Sequence, residues 1–511
     1  MTPLEDLAAR RGMSLDHLGG KAPEISQDIT NQIEKIESFL RKSKQRIVTV
    51  WADSDCDGVT SAFLMDRILK DMGIFAYVRF TNRFVDGYGL PVTGVKHVAE
   101  KGIWTLIALD CGTNDIEAIE KAKEYGVDLI VIDHHPSLYV DAARPKMILN
   151  PEADMKGPGY CTASLAYMMA QAICPNAVDE KMTALAALGI VTDVAPLTGY
   201  NRSVVVAGLE AWGKVAGPWF PEDSYPVSTA RDLAFGVGPL INAAGRMGQT
   251  VAAWDLLKAE PDRYADSLKR LEVLNVRRKS VQNKAIKEAM TNAKAMVQDH
   301  DPAILVVWSE KWHPGILGII AGRLADRFDR PAIALKEHET GSMVGSGRAG
   351  PATDILKLLQ GMDIPFKKLG GHKKAIGMTI GKEDRTRLQL ACQKAKVDIE
   401  PLWYDWEVKL EDLGGDLMAE AKGLEPTGAG CPPARFLIRN LQATMISSKG
   451  RILHVLKGIA DPNHHTLGVS DIPITGKRGL DVLVEAGRNY QQNNTDPLEV
   501  IDWREHVEES C

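Results

Sequence analysis

Between positions 46 and 133 three short runs of consecutive apolar residues stand out: RIVTVWAD, WTLIALD and VDLIVID. Rich in β-branched residues and lacking polar alternation, they predict strands buried on both faces. Between them the period becomes helical, in VTSAFLMDRILKDMG and NDIEAIEKAKEYG, and each helical stretch ends at a glycine suited to a C-terminal cap. Strand–helix alternation of this kind predicts a parallel sheet. Residues 160–193 and 200–260 read as mainly helical. From Pro261 to His300 the chain is polar, helix-favouring and free of internal glycine or proline. This predicts a long helix that bridges domains, a reading compatible with a solvated surface helix.

A second α/β unit begins at Pro302, with AILVVW, PAIAL, MVGSGR and AIGMTI as strands and ILGIIAGRLADRF as a helix. Beyond position 400 come short strand-like runs (FLIRNLQATMI, RILHVLKGIA, HTLGVSDI, LDVLVEAG) divided by Gly, Pro and Asn turns, which predict a small β-barrel or sandwich. The domains expected are an N-terminal helical segment over 1–45, an α/β domain over 46–260, a linking helix over 261–300, a smaller α/β domain over 301–398 and a β-rich domain over 399–511.

Length agrees with this division, since 511 residues exceed what one hydrophobic core usually supports. Apolar residues at 45% and charged residues at 25% are ordinary for globular protein. No apolar run reaches the length of a membrane span, and acids and arginines occupy the N-terminus where a signal peptide needs its apolar centre, so no membrane partner and a cytoplasmic location are expected. Seven cysteines occur singly, without a CxxC pair, which argues against a disulfide framework and against a zinc–thiolate site. The net charge of −6 leaves nucleic-acid binding open, because clustered acids mask a basic groove elsewhere.

Each of the three apolar runs ends in aspartate: WADSDCDG, LDCGTND and IDHHP. The carboxyl ends of parallel strands line one edge of a sheet, where ligands bind. Asp53, Asp55, Asp57, Asp110, Asp133, His134 and His135 are therefore expected in one crevice. Such a cluster repels itself, and a divalent cation removes the penalty; carboxylate and imidazole donors without thiolate suit Mn²⁺ or Mg²⁺. If D-x-D-x-D continues extended, its side chains alternate toward two adjacent ions, with Asp110 able to bridge them. Alone, each piece is more often a turn or helix cap. Together, at successive strand ends, they favour a metal site.

These residues carry a resemblance. DSDCDGVTS, LDCGTND and VIDHHP resemble the first three motifs of the DHH phosphoesterases, and GIVTDVAPL, with Asp193, resembles the fourth. The resemblance implies that Asp55, Asp57, Asp110, His134 and Asp193 hold metal, with Asp53 a further candidate. It also implies that His135 contacts the scissile phosphate and that Asp133 orients the histidines. TNRFVDGYGL, GPLINAAGRMG, WHPGILGIIAGRL, GSGRA and GGHKKAIG narrow the likeness to the RecJ-type exonucleases, in their order. That likeness implies a DHHA1-like smaller domain, a C-terminal OB-like β-barrel and two ions. The activity implied is 5′→3′ hydrolysis of single-stranded DNA in repair and recombination. Single-stranded DNA is the implied partner, and a single-stranded-DNA-binding protein or a helicase are further ones.

Arginine forks match phosphate geometry. Arg83, Arg246 and Arg348, with Asn242, Ser346 and His372, are the phosphate and DNA contacts expected from their places in these segments. The alternatives are a phosphoesterase acting on short oligonucleotides or phosphoadenosine phosphate, and a non-catalytic replication scaffold. The sequence departs from the family pattern at Ser54, Cys56 and Ala349, and in LEPTGAGCPPARF, which stands in place of a Pro-Phe-Gly…Asn-Pro segment.

Overall fold

The computed structural model describes residues 3–505 except 19–20, 88, 138–143, 154–156, 216–218, 338–340, 351, 353, 400–402, 414–416, 418–420, 446–451, 459–464, 471–479 and 486–497. The chain divides into two compact units, one of residues 23–196 and 203–400, the other of 1–22, 197–202 and 401–511.

The larger unit holds two sheets. The first contains β1 (Ile47–Ala52), β2 (Phe75–Phe80), β3 (Thr105–Leu109), β4 (Asp128–Ile132) and β5 (Met147–Leu149), all parallel in the order β2-β1-β3-β4-β5. Val50, Leu106, Ile107 and Ile130 are fully buried, as strands covered on both faces require. Helices Val92–Glu100 and Ile116–Glu124 cover one face through Val95, Val98, Ala118 and Ile119, packed on Trp51, Leu106 and Val131.

Two strands were not marked by the apolar pattern. β2 lies at the sheet edge with Phe75 and Tyr77 exposed, so its sequence FAYVRF carries no continuous buried run. β5 spans only three residues. A third difference concerns the acidic motif: the chain does not stay extended through D-x-D-x-D. Helix Cys56–Asp71 begins inside it, because the Asp55 side chain caps that helix by accepting the Gly58 N–H at 3.3 Å.

The second sheet comprises β6 (Leu305–Trp308), β7 (Ala332–Glu337), β8 (Ser342–Arg348), β9 (Lys368–His372) and β10 (Ala375–Gly381), in the order β6-β7-β8-β10-β9. Only β6 and β7 run parallel. A helix of 37 residues, Tyr264–His300, joins the two sheets. Leu268, Leu271 and Leu274 are buried in its first half and Ala285, Ala289 and Ala293 in its second. The alanines pack with Ile316, Ile320 and Leu324 against β6 and β7, so one face of this helix is core along its length.

In the smaller unit β11 (Trp406–Val408), β12 (Arg435–Met445), β13 (Ile452–Gly458), β14 (His465–Ser470), β15 (Leu480–Glu485) and β16 (Leu498–Glu505) form one sheet, with β12 also pairing to β15. The altered LEPTGAGCPPARF segment receives a fully buried guanidinium here. Arg202 donates to the carbonyls of Leu18, Leu424, Glu425 and Pro426 and contacts Cys431 Sγ. Among the described residues no helix is long and apolar enough to cross a membrane.

Candidate metal centre

The site grows from the carboxyl ends of β1, β3 and β4. Asp53 leaves β1 with its N–H on the Leu109 carbonyl at 3.1 Å, which fixes it beside the end of β3. Asp57 lies in the first turn of helix Cys56–Asp71. Its carboxylate also accepts Thr162 N–H at 2.9 Å and Ala163 N–H at 2.8 Å, the first donors of helix Thr162–Ile173. Two helix N-termini thus meet on one carboxylate, as their orphan N–H groups and dipoles favour. Asp110 follows β3 with φ +60, an uncommon conformation for a non-glycine residue, held by its N–H on the Ile132 carbonyl.

Asp193 arrives from a different direction, as the C-cap of helix Glu180–Thr192. That helix approaches closely because Gly189 has no side chain: a Cβ there would stand 2.4 Å from Thr60 Oγ1 and 2.5 Å from Ala163 Cβ. The His134 ring lies among these acids, with Nε2 at 3.2 Å from Asp110 Oδ1 and 4.0 Å from Asp57 Oδ2, and Nδ1 at 3.8 Å from Asp193 Oδ2. Asp133 serves the loop instead. Its Oδ1 accepts the N–H groups of His134 and His135 and faces His135 Nδ1 at 2.7 Å, while Oδ2 accepts Thr113 N–H.

Charge is crowded here. Burial, then the neighbouring Asp55 and Asp57 charges, push Asp110 well above the usual carboxylate range. Burial and the same two charges raise Asp193 well above it. Burial and Asp55 bring Asp57 to about 6. Although burial opposes it, Asp133 raises His135 to about 9, and His135 in turn holds Asp133 below its ordinary value. Asp55 is also lowered, because Arg83 and the Gly58 N–H outweigh its burial.

Donor atoms of Asp53, Asp55 and Asp110 lie within 4.8 Å of one another, as do those of Asp110, Asp133, His134 and His135, and those of Asp57, Cys161 and Asp193. The set is rich in carboxylate oxygen, crowded enough to oppose its own ionisation, and joined by the His134 and His135 imidazoles. It fits hard divalent cations, which relieve that repulsion. Cys161 entered with no sequence signal, since only folding brings its thiol beside Asp57.

Arg83 and Arg246 line the same cleft as Asp55, Asp57 and Asp193. Arg83 Nη2 lies 2.5 Å from Asp53 Oδ2 and 3.3 Å from Asp55 Oδ2. Arg246, on helix Gly238–Arg246, donates to the Gly315 carbonyl at 3.0 Å. Burial, then Arg83 and Arg348, lower Arg246 to about 10. Arg348 closes β8, crossing Gly318, where a Cβ would come within 2.7 Å of its Nη2. Ser346, two residues earlier on β8, is half-buried. Asn242 turns its amide oxygen to the Cys56 N–H at 2.9 Å and so caps the acidic helix. The backbone of His372 lies in β9, and its side chain falls outside the described residues.

Residues 47–190 match the DHH family, N-terminal domain, and residues 301–396 match the DHHA1 domain. The single-stranded-DNA-specific exonuclease RecJ of Dickeya dadantii is 30% identical over 467 residues, covering 82% of this chain and 80% of that protein. The chain belongs to the RecJ family. RecJ of Bacillus subtilis is likewise 30% identical, over 78% of this chain, but the match spans only 52% of that longer protein. Among solved structures, RecJ of Thermus thermophilus in complex with Mn²⁺ superposes with a TM-score of 0.80 at 21% identity, over 99% of this chain and 76% of that one. The same protein in complex with Mg²⁺ gives 0.73 at 20% identity, over 99% and 75%. The fold, with one parallel and one mixed sheet in its larger unit, is therefore the RecJ fold.

Proposed function

We propose that this chain is an exonuclease hydrolysing the phosphodiester bonds of single-stranded DNA from the 5′ end, in repair and recombination, with two Mn²⁺ or Mg²⁺ ions. The observation that carries the reading is Asp110: its carboxylate belongs to two donor groups at once. Asp57, His134 and Asp193 would share one ion with it, and Asp53 and Asp55 the other. When bound, such a pair supplies an activated water and neutralises the charge that builds on the phosphate.

The protein's own residues do the rest. Arg83, Arg246 and Arg348 offer forked donors to phosphate oxygens beside the acids. Ser346 on β8 and His372 on β9 extend that surface, and the Asn242 amide holds the acidic helix while presenting its NH₂ group. His135, kept protonated by Asp133, donates to the scissile phosphate; Asp133 sets its ring and never leaves the loop. Carboxylates and arginines share one cleft, so cations held by the acids and the guanidinium groups beside them would together draw an anionic strand.

The smaller unit is read as an OB-like barrel that holds the strand. Its support is the pairing path, which runs from β12 through β13, β14, β16 and β15 and returns to β12. Trp403 and Tyr404, partly exposed with Arg11 and Arg435 over the Trp403 ring, are aromatics on which bases could stack. The domain limits given above, a cytoplasmic location and assembly with a single-stranded-DNA-binding protein or a helicase belong to the same proposal. Six buried, unpaired cysteines among the described residues suit a reducing compartment.

Single strands blocked at the 5′ or the 3′ end, a matched RNA and a DNA length series, each incubated with Mn²⁺, test it. Degradation only from free 5′ ends of long DNA is expected. Cleavage confined to dimers and trimers would give the site to small substrates, and no cleavage of any strand would leave a scaffold. Asp110→Ala is expected to lower turnover at least about a thousandfold, about 4 kcal/mol, with the circular dichroism spectrum unchanged.

A further inference from the structure

Asp53 is more than nine-tenths buried, and its Oδ1 makes no hydrogen bond. A buried carboxylate oxygen without a donor is costly and marks a place that a ligand completes. The other oxygen, Oδ2, lies 2.5 Å from Arg83 Nη2, and the same nitrogen lies 3.3 Å from Asp55 Oδ2. Asp53, Asp55 and Asp110 are also the acids whose oxygens gather within 4.8 Å of one another. One guanidinium therefore sits on two of the three carboxylates that would receive the second ion.

We infer that Arg83 is a cationic placeholder for the second ion and passes to the substrate phosphate when that ion binds, so the second cation and the phosphate grip are acquired in one exchange. This rests on the two-cation reading of the site.

The backbone around Arg83 is held in place. Trp51 Nε1 donates to Thr81 Oγ1 at 3.0 Å, Thr81 Oγ1 to the Gly89 carbonyl at 3.2 Å, and Asn82 N–H to Asp86 Oδ2 at 2.9 Å. Phe84 packs edge-on to His313 with ring centroids 4.7 Å apart. Exchange therefore asks only for a rotation of the Arg83 side chain, not for movement of its loop. Electrostatics gives the direction. A divalent ion carries twice the charge of a guanidinium and coordinates oxygen at about 2 Å, so it wins the contest for these carboxylates. The displaced guanidinium stands near Arg246, and two cations at close quarters favour an anion between them. Burial and Arg83 already lower Arg246. At the other position, among Asp57, His134 and Asp193, the charged neighbour is the His135 imidazolium, held by Asp133 and felt by Asp193, and a change at Arg83 leaves it in place.

Titration of the full chain with Mn²⁺ alone, reading free Mn²⁺ by electron paramagnetic resonance, tests the exchange without any substrate. The wild type is expected to bind two ions, the second more weakly. Arg83→Gln is expected to tighten the second about tenfold and leave the first unchanged. Arg83→Lys, which keeps the charge but reaches one carboxylate rather than two, should fall between. An unchanged or weakened second ion in Arg83→Gln overturns the placeholder. A single ion in both proteins overturns it too while leaving a one-ion hydrolase, and no bound ion in the wild type overturns the two-cation reading with it. Should circular dichroism show Arg83→Gln unfolded, Arg83→Lys decides: second-ion affinity equal to the wild type rejects the exchange.

Discussion

Asp115 accepts N–H groups from two separate segments, Leu90 at 2.7 Å and Gly112 at 3.0 Å. It thereby fastens the loop that carries Arg83 to the loop that carries Asp110. Gly89, at φ +86, makes the approach possible, since a Cβ there would stand 2.2 Å from Asp115 Oδ1. Burial, and more weakly the Asp133 charge, raise Asp115 to about 6. The folded protein thus holds a proton that the unfolded chain releases above about pH 4. Asp115 contributes stability that is complete below about pH 4 and is lost as the pH rises through 6. Asp115→Asn should flatten that part of the stability–pH curve in metal-free urea unfolding; an identical slope in both proteins would contradict the assignment. Nothing in the sequence marked this residue. It lies inside the LDCGTND segment, yet its function depends on a partner 25 positions away.

Helix Gly238–Arg246 reaches the acidic motif by close contact rather than by charge. Gly245 packs on the Ser54 carbonyl, where a Cβ would come within 2.1 Å, and Asn242 meets Cys56 N–H from the same face. Gly245→Ala must push that helix away from the motif. A loss of about 1–3 kcal/mol is expected, read as a lower midpoint in thermal melts, together with weaker Mn²⁺ binding. A variant as stable as the wild type would show that the contact is slack. At this scale the sequence was legible where burial was continuous: β1, β3 and β4 stand out because both faces are covered. The edge strand β2 and the three-residue β5 leave no such trace. The acidic motif reads as extended until its cap is seen, because D-x-D-x-D serves a strand exit and a helix start equally well. Asp193 needed the family pattern, since its place depends on a helix crossing at Gly189 that no local period encodes.

Across the whole chain a net charge of −6 conceals a local cluster of cations, Arg83, Arg246 and Arg348, beside the acidic centre. That arrangement predicts salt-sensitive binding of single strands. In the cleavage-dead Asp110→Ala background, Arg348→Gln should lower the slope of log affinity against log salt by about 0.7, the value of one phosphate contact on a single strand. An unaltered slope would remove Arg348 from the strand path. In the proposed arrangement acids and an imidazole from four places in the chain share two cations. Anomalous diffraction at the manganese edge from Mn²⁺-soaked crystals measures this directly. Two peaks are predicted, one among Asp57, Asp110, His134 and Asp193 and one among Asp53, Asp55 and Asp110. Manganese found only elsewhere on the protein, or no peak at all, would contradict it.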